Sequence, residues 1–332
     1  MSVISKVRSA LGQRLQLILQ SITPVAHLVK NWGSMPTLPD CSTLNKLDPV
    51  AQTQPSNQAT VLTGSECIVE YPDGVLHPRE FRDLLVQNGA IMLRGAADTG
   101  QIDRIRQKLD DLFAEYSRVS SQDFERHLAS DDPVERDFWQ QIKLGHIYDR
   151  TFKPSAGLSF FDVIRENGLW DLAARAFPEA SPTESVVCNC RRMTVGDLSN
   201  FFDKPLDFHV DAQFFSPDHL SVNFWTPLMD CGKDAPGLRI IQLGVQETKN
   251  YLEFNGAGYQ PKATDIDHMS KFRCEKMTSL RLEENGLMNL MRAPQFKKGD
   301  ILAFTNFTMH GTYFTSGMTI PRTSIEVRVD LL

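Results

Sequence analysis

Positive charge is in short supply in this 332-residue chain: 35 Lys and Arg face 41 Asp and Glu, a net charge of −6. Nucleic-acid binding draws on a basic face or stripe, so the composition argues against such a partner. Long hydrophobic runs are also missing. No stretch of 18 apolar residues occurs, which excludes a membrane-spanning helix by the usual criterion. Cysteine is sparse, with six scattered residues (Cys41, Cys67, Cys188, Cys190, Cys231 and Cys274). Without a secretion signal, free thiols and a cytoplasmic location are expected. Cys188 and Cys190 form a single C-x-C, and two ligands do not close a zinc site. Strand spacing places both on one face, where core packing is expected.

The first 33 residues resemble a signal sequence only superficially. Arg14, Gln16 and Gln20 interrupt the apolar run. Val7, Leu11, Leu15, Ile18 and Ile22 recur at helical spacing, which predicts an amphipathic helix lying on the main domain or a partner subunit, with a membrane surface as the alternative. Residues 34–60, rich in Ser, Thr, Pro, Asn and Gln, read as a linker, and 61–332 as the functional domain. Pro78 and Glu80 open a helix that Asn88-Gly89 closes, before a short buried strand at Ala90–Arg94. A longer helix is expected at about 101–117, and further helical segments to about 180. From about 184 the chain turns to short β-rich runs (VVCNCRRMTV, LSVNFWTPL, LRIIQLG, DILAFTN, TSIEVRV) separated by Gly, Pro and Asp. The polar stretch 245–296 reads as an insertion or lid. Helices followed by many short strands predict an α+β fold built on an antiparallel barrel or sandwich.

The chemistry concentrates at Phe208-His209-Val210-Asp211. In a strand, His209 and Asp211 would project to one side and chelate one metal. A third ligand must come from elsewhere, and His310, just after the DILAFTN run, is the candidate. His219 and His268 are its rivals. Two imidazoles and one carboxylate on one side of a divalent ion form the facial triad of non-haem iron oxygenases. Twelve residues beyond His310 lies Arg322, with Ser324 two positions on. A guanidinium fork with a hydroxyl beside it suits the distal carboxylate of a keto diacid.

These residues, together with the W-x-P-L run at Trp225, the GLRIIQLG run and Gly299-Asp300 ahead of His310, resemble the phytanoyl-CoA dioxygenase-like branch of the Fe(II)/2-oxoglutarate oxygenases. The resemblance is good over 200–245 and 296–329, and looser over 80–332. It implies a double-stranded β-helix (jelly-roll, cupin-like) core flanked by N-terminal helices. It implies Fe(II) held by His209, Asp211 and His310, with 2-oxoglutarate as co-substrate, O2 as oxidant and ascorbate as a stimulant. 2-Oxoglutarate would leave as succinate and CO2 while a small-molecule substrate is hydroxylated, desaturated or cyclised. Halogenating relatives lack the carboxylate that Asp211 supplies, so halogenation is not expected. Gln242-Leu243-Gly244 stands where the family often carries a PGSH-like turn, which argues for a secondary metabolite or amino acid over an acyl-CoA. Further candidates are Asn223 and Thr226 toward 2-oxoglutarate, and Arg191, Arg192, Phe214 and Trp225 toward substrate. Two other readings stay open: a cupin-like metalloenzyme that does not use 2-oxoglutarate, and a catalytically inactive binding module on the same barrel. Oligomeric state is not legible.

Overall fold

A computed structural model describes residues 70–72, 76–132, 145–185, 188–193, 208–214, 220–253 and 275–331, with 135, 136, 138, 139 and 142. The expectations for 1–33 and 34–60, and the rival ligands His219 and His268, lie outside the described residues. So does the side chain of Phe214.

Helices come first, as the sequence order predicts. After β1 (Glu70–Pro72), α1 spans Pro78–Asn88. Its start is set by Pro78 and by His77, whose ring accepts from the Arg79 N–H at 3.3 Å. It ends at Gly89, whose φ of +76° suits glycine, and any Cβ there would meet the Leu243 carbonyl oxygen at 2.5 Å. Strand β2 (Ala90–Arg94) follows, then α2 (Thr99–Ser117), capped by the Asp98 carboxylate accepting from the Gln101 N–H at 2.6 Å. Helices α3 (Ser121–Leu128), α4 (Asp149–Ala156), α5 (Phe161–Glu166) and α6 (Leu169–Ala176) complete the helical part, with β3 (His146–Tyr148) between α3 and α4.

The remaining strands are β4 (Pro182–Glu184), β5 (Asn189–Met193), β6 (Leu220–Pro227), β7 (Gly237–Ile241), β8 (Met291–Arg292), β9 (Ile301–Thr305), β10 (His310–Tyr313) and β11 (Arg322–Leu331). Among the described residues they form two sheets. The larger runs β1-β2-β9-β6-β11-β5-β3 with β4 also on β11, and the smaller β10-β7-β8. All pairings but β1 with β2 are antiparallel. The architecture is thus α+β with antiparallel sheets. The two ends of the 245–296 stretch carry regular structure, α7 (Val245–Tyr251) and α8 (Ser279–Glu284), while 254–274 lie outside the described residues.

Alternation along the strands divides the large sheet into two faces. On β11, Ile325, Val327 and Val329 join Phe224, Ile91 and the helices in one core. On the other face Trp225, Leu302, Phe304 and Met92 meet Leu238 and Ile240 of the small sheet. The two sheets therefore pack against each other, and side chains on this inner face can converge. Cys188 and Cys190 are buried free thiols, and both belong to the helix-side core. No helix among the described residues is long and apolar enough to cross a membrane.

Phe224 ties the layers together: it is fully buried on β6 and stacks on Phe81 of α1, with ring centroids 6.3 Å apart and planes within 5°. Phe224→Ala is expected to cost about 3–5 kcal/mol of unfolding free energy, read as a lower urea midpoint at constant slope. A loss below about 1 kcal/mol would show that the helical layer does not depend on this contact.

Candidate metal centre

His310 owes its place to the turn before it. Arg94 Nη1 and the Gly95 and Lys297 N–H groups donate to Asp300 at 2.6, 3.0 and 2.7 Å, fixing the entry to β9. Beyond β9, the Asn306 carboxamide oxygen accepts from the Ser221 N–H at 3.1 Å, and the Thr308 hydroxyl donates to the Gly89 carbonyl at 2.6 Å. This short Asn-Thr turn is therefore fastened to β6 and to the start of β2. It delivers His310 as the first residue of β10, with Nδ1 2.8 Å from the Thr308 carbonyl. That contact fixes the ring and leaves Nε2 for another partner.

The structure corrects the strand expected at His209 and Asp211. His209 makes an isolated antiparallel bridge with His310, each N–H donating to the other's carbonyl at 2.9 Å. The chain then turns at once into a 3-10 helix at Asp211–Phe214, because the Ala212 N–H donates to the Asn306 carbonyl at 2.8 Å. One bridge pair followed by a tight turn, not a strand face, brings the carboxylate beside the ring.

His209, Asp211 and His310 each offer a ligand atom, all within 4.8 Å of one another. Nε2 of His209 lies 3.8 Å from Oδ1 of Asp211, and the two imidazole centroids are 4.2 Å apart. Burial, then the neighbouring His310, pushes His209 down to about 3, so near neutral pH its ring is an uncharged donor. Burial alone would raise Asp211, but the Arg328 guanidinium and the two imidazoles outweigh it and hold the carboxyl at about 2. The donor set of two imidazole nitrogens and one carboxylate oxygen fits a borderline divalent ion such as Fe(II).

A second layer supports the first. Asn223 Nδ2 and Arg328 Nη2 donate to Asp211 Oδ2 at 2.6 and 2.7 Å. Arg328 also donates from Nε to Asn223 Oδ1 at 2.7 Å and from Nη2 to Glu326 Oε1 at 2.8 Å. Burial, then the Asp211 charge, raises the Glu326 carboxyl above its usual value. Asn223 was expected to meet 2-oxoglutarate. Its amide is instead spent on Asp211 and Arg328, because the β6–β11 register sets it opposite Arg328.

Arg322 stands on the same face of β11 as Ser324, Glu326 and Arg328. It is 2% exposed, its guanidinium lies over Trp225 at 5.3 Å, and Nη1 donates to the Gly237 carbonyl at 2.7 Å. Among the described residues it has no carboxylate partner, and its Nε has no acceptor. Trp225 also packs on Phe296 at 4.7 Å, and Ser324 is buried. Arg191 shares this face, opposite both Ser324 and His146, and its charge helps depress His209.

Two expected residues point elsewhere. Thr226 pairs with Ile325 and so faces the helix-side core, since only odd positions of β6 reach the inner face. Arg192, one residue off the alternation of Arg191, pairs with Asp110, lies over Phe113 and lines a cleft of about 430 Å³ that includes none of the three ligands. Two residues were missed by sequence reasoning, Glu326 and Arg328. The signal was present: both continue the period of two from Arg322 and Ser324.

A family model described as phytanoyl-CoA dioxygenase (PhyH) matches residues 85–318, a span holding His209, Asp211 and His310 and ending before Arg322. No curated protein matches the chain. Among solved structures, AviO1 from Streptomyces viridochromogenes Tue57 is similar at 12% identity, covering 77% of this chain and 96% of that one, with a TM-score of 0.44. EvdO2 from Micromonospora carbonacea var. aurantiaca, solved with 2-oxoglutarate, is similar at 13% identity, covering 80% and 94%, with a TM-score of 0.42.

His146, on the inner face of β3, is pushed down to about 3 by burial and then by Arg191. In an unfolded chain it titrates near 6.5, so between those values the unfolded state binds the extra proton. Stability of the metal-free protein should therefore fall as pH drops from about 6.5 toward 3, with His146 and His209 sharing the slope. His146→Asn is expected to flatten the urea-midpoint profile between about pH 6 and 4 by up to about 1.4 kcal/mol per pH unit. An unchanged slope would show that this ring is not held neutral.

Proposed function

The chain belongs to the phytanoyl-CoA dioxygenase family, a branch of the Fe(II)/2-oxoglutarate oxygenases, and on that premise we propose that it oxidises an unactivated C–H bond of a small-molecule metabolite while converting 2-oxoglutarate to succinate. In this reading the two packed sheets are the core of a double-stranded β-helix. His209, Asp211 and His310 would hold Fe(II), beside which co-substrate and O2 would bind. The bound iron, with 2-oxoglutarate and O2, supplies the oxidising power for breaking the C–H bond.

The observation that carries the reading is Arg322. A buried guanidinium that has no carboxylate partner among the described residues, on the strand face that also carries the centre's second layer, is an unbalanced charge. A keto diacid would balance it: its distal carboxylate would meet Arg322, with the Ser324 hydroxyl as a further donor, while its keto-acid end reaches the metal. Trp225 would support the guanidinium from one side. The chain's own contribution is to orient these groups and exclude water. Arg191 and Glu326, on the same inner face, would meet the substrate side of the site. The cupin-like alternative without 2-oxoglutarate leaves Arg322 unexplained.

Two measurements test this. Purified chain given Fe(II), ascorbate and 2-oxoglutarate should release succinate, and His209→Ala, Asp211→Ala and His310→Ala should each abolish it together with Mn(II) binding while the fold persists. Arg322→Ala should weaken 2-oxoglutarate binding to the Mn(II)-loaded protein by roughly 30-fold or more, since truncating one side of a buried charge pair costs about 2–5 kcal/mol. Unaltered affinity in that variant would remove Arg322 from the role.

A further inference from the structure

The two oxygens of Asp211 have different surroundings. Oδ1 faces His209 Nε2 at 3.8 Å. Oδ2 accepts from both Asn223 Nδ2 at 2.6 Å and Arg328 Nη2 at 2.7 Å. Arg328 has little freedom of its own. Its Nε is tied to Asn223 Oδ1 at 2.7 Å, its Nη2 is shared with Glu326 Oε1 at 2.8 Å, and its main-chain N–H donates to Cys188 Sγ at 3.0 Å. Asp211, Asn223 and Arg328 are all buried.

We propose that Arg328, acting with Asn223, is a positioning residue that makes Asp211 a one-oxygen metal ligand and so keeps a coordination position open for the keto acid. The proposal rests on the function proposed above. A carboxylate beside a divalent ion can bind through one oxygen or two. Turning Oδ2 toward the metal here would break two hydrogen bonds, one of them charge-assisted. It would also leave a buried amide and a buried guanidinium short of an acceptor, and such unpaired groups are costly. Arg328 is placed for this by its strand: it lies six residues beyond Arg322 on the same face, so one strand would grip the co-substrate and shape the ligand that competes with it. Glu326 steadies the arm from the far side. A purely structural ion pair would predict a different outcome, namely lower stability with no change in how the metal centre takes its ligands.

The test compares the full chain with Arg328→Met, Arg328→Lys and Asn223→Ala under anaerobic conditions. Mn(II) affinity and the affinity of the Mn(II)-loaded protein for 2-oxoglutarate are read by calorimetry, and the visible spectrum is read on the Co(II)-loaded protein. Arg328→Met should retain Mn(II) with comparable affinity yet bind 2-oxoglutarate about tenfold or more weakly. Its Co(II) bands should shift as the second carboxylate oxygen takes up a coordination position, and Arg328→Lys should recover much of the parent behaviour. Asn223→Ala removes one of the two donors to Oδ2 without touching any charge. It should shift both readings the same way by less, and it carries the test if Arg328→Met does not fold. Unchanged 2-oxoglutarate affinity and Co(II) bands in the folded variants overturn the proposal. So does loss of Mn(II) from Arg328→Met, which would make the arginine a metal-retaining group instead. A parent chain that binds neither Mn(II) nor 2-oxoglutarate overturns the function beneath it. A parent that binds both, beside variants that bind both equally well, overturns this step alone.

Discussion

The bridge between His209 and His310 is the constraint on which the rest of the centre depends. Two main-chain hydrogen bonds of 2.9 Å tie together residues far apart in the chain and set their rings side by side. A bridge made by the main chain does not depend on which side chains it carries. The imidazoles can therefore be committed to chemistry while the backbone bears the structural load. Asn306 and Thr308 extend the same device, since they anchor the turn before His310 to β6 and β2 through main-chain partners.

Charge is distributed unevenly along β11. Near the ligands, Arg328 stands between Asp211 and Glu326, both of which it contacts. At the other end of the strand, Arg322 meets only carbonyl oxygens and an aromatic face among the described residues. Burying an ion is tolerable when it is paired and hydrogen-bonded, and expensive otherwise. One strand thus holds a satisfied arginine beside the candidate metal ligands and, among the described residues, one with no carboxylate partner. The helical layer and Phe224 keep the opposite face of this strand dry, which lowers the dielectric around both.

How much of this was legible before folding depends on the range of the signal. The period of two was readable in Arg322-Thr323-Ser324-Ile325-Glu326-Val327-Arg328, and it places four polar side chains on one face whatever the strand pairs with. The same alternation sends Arg191 and Arg192, both candidates toward substrate, to opposite faces. Asn223 and Thr226 show its limit. Strand alternation sends them to opposite faces, but only the register against β11 reveals that Asn223 sits opposite Arg328 and Thr226 opposite Ile325. The H-x-D pair exposes a different limit: its residues converge through a bridge and a 3-10 turn, and that geometry is held by Asn306 and His310, which no local pattern could supply.

By itself the sequence determined what is local: the helix opened by Pro78 and closed by Gly89, the alternation of β6 and β11, and the residue types able to hold a ferrous ion and a keto diacid. Tertiary structure alone decided which of those residues meet. It set Asn223 and Arg328 on one oxygen of Asp211, turned Thr226 and Arg192 away, and left Arg322 without a carboxylate among the described residues. The physical reason is that propensity and periodicity act over a few residues. Register, burial and charge pairing are properties of strands brought together from distant parts of the chain.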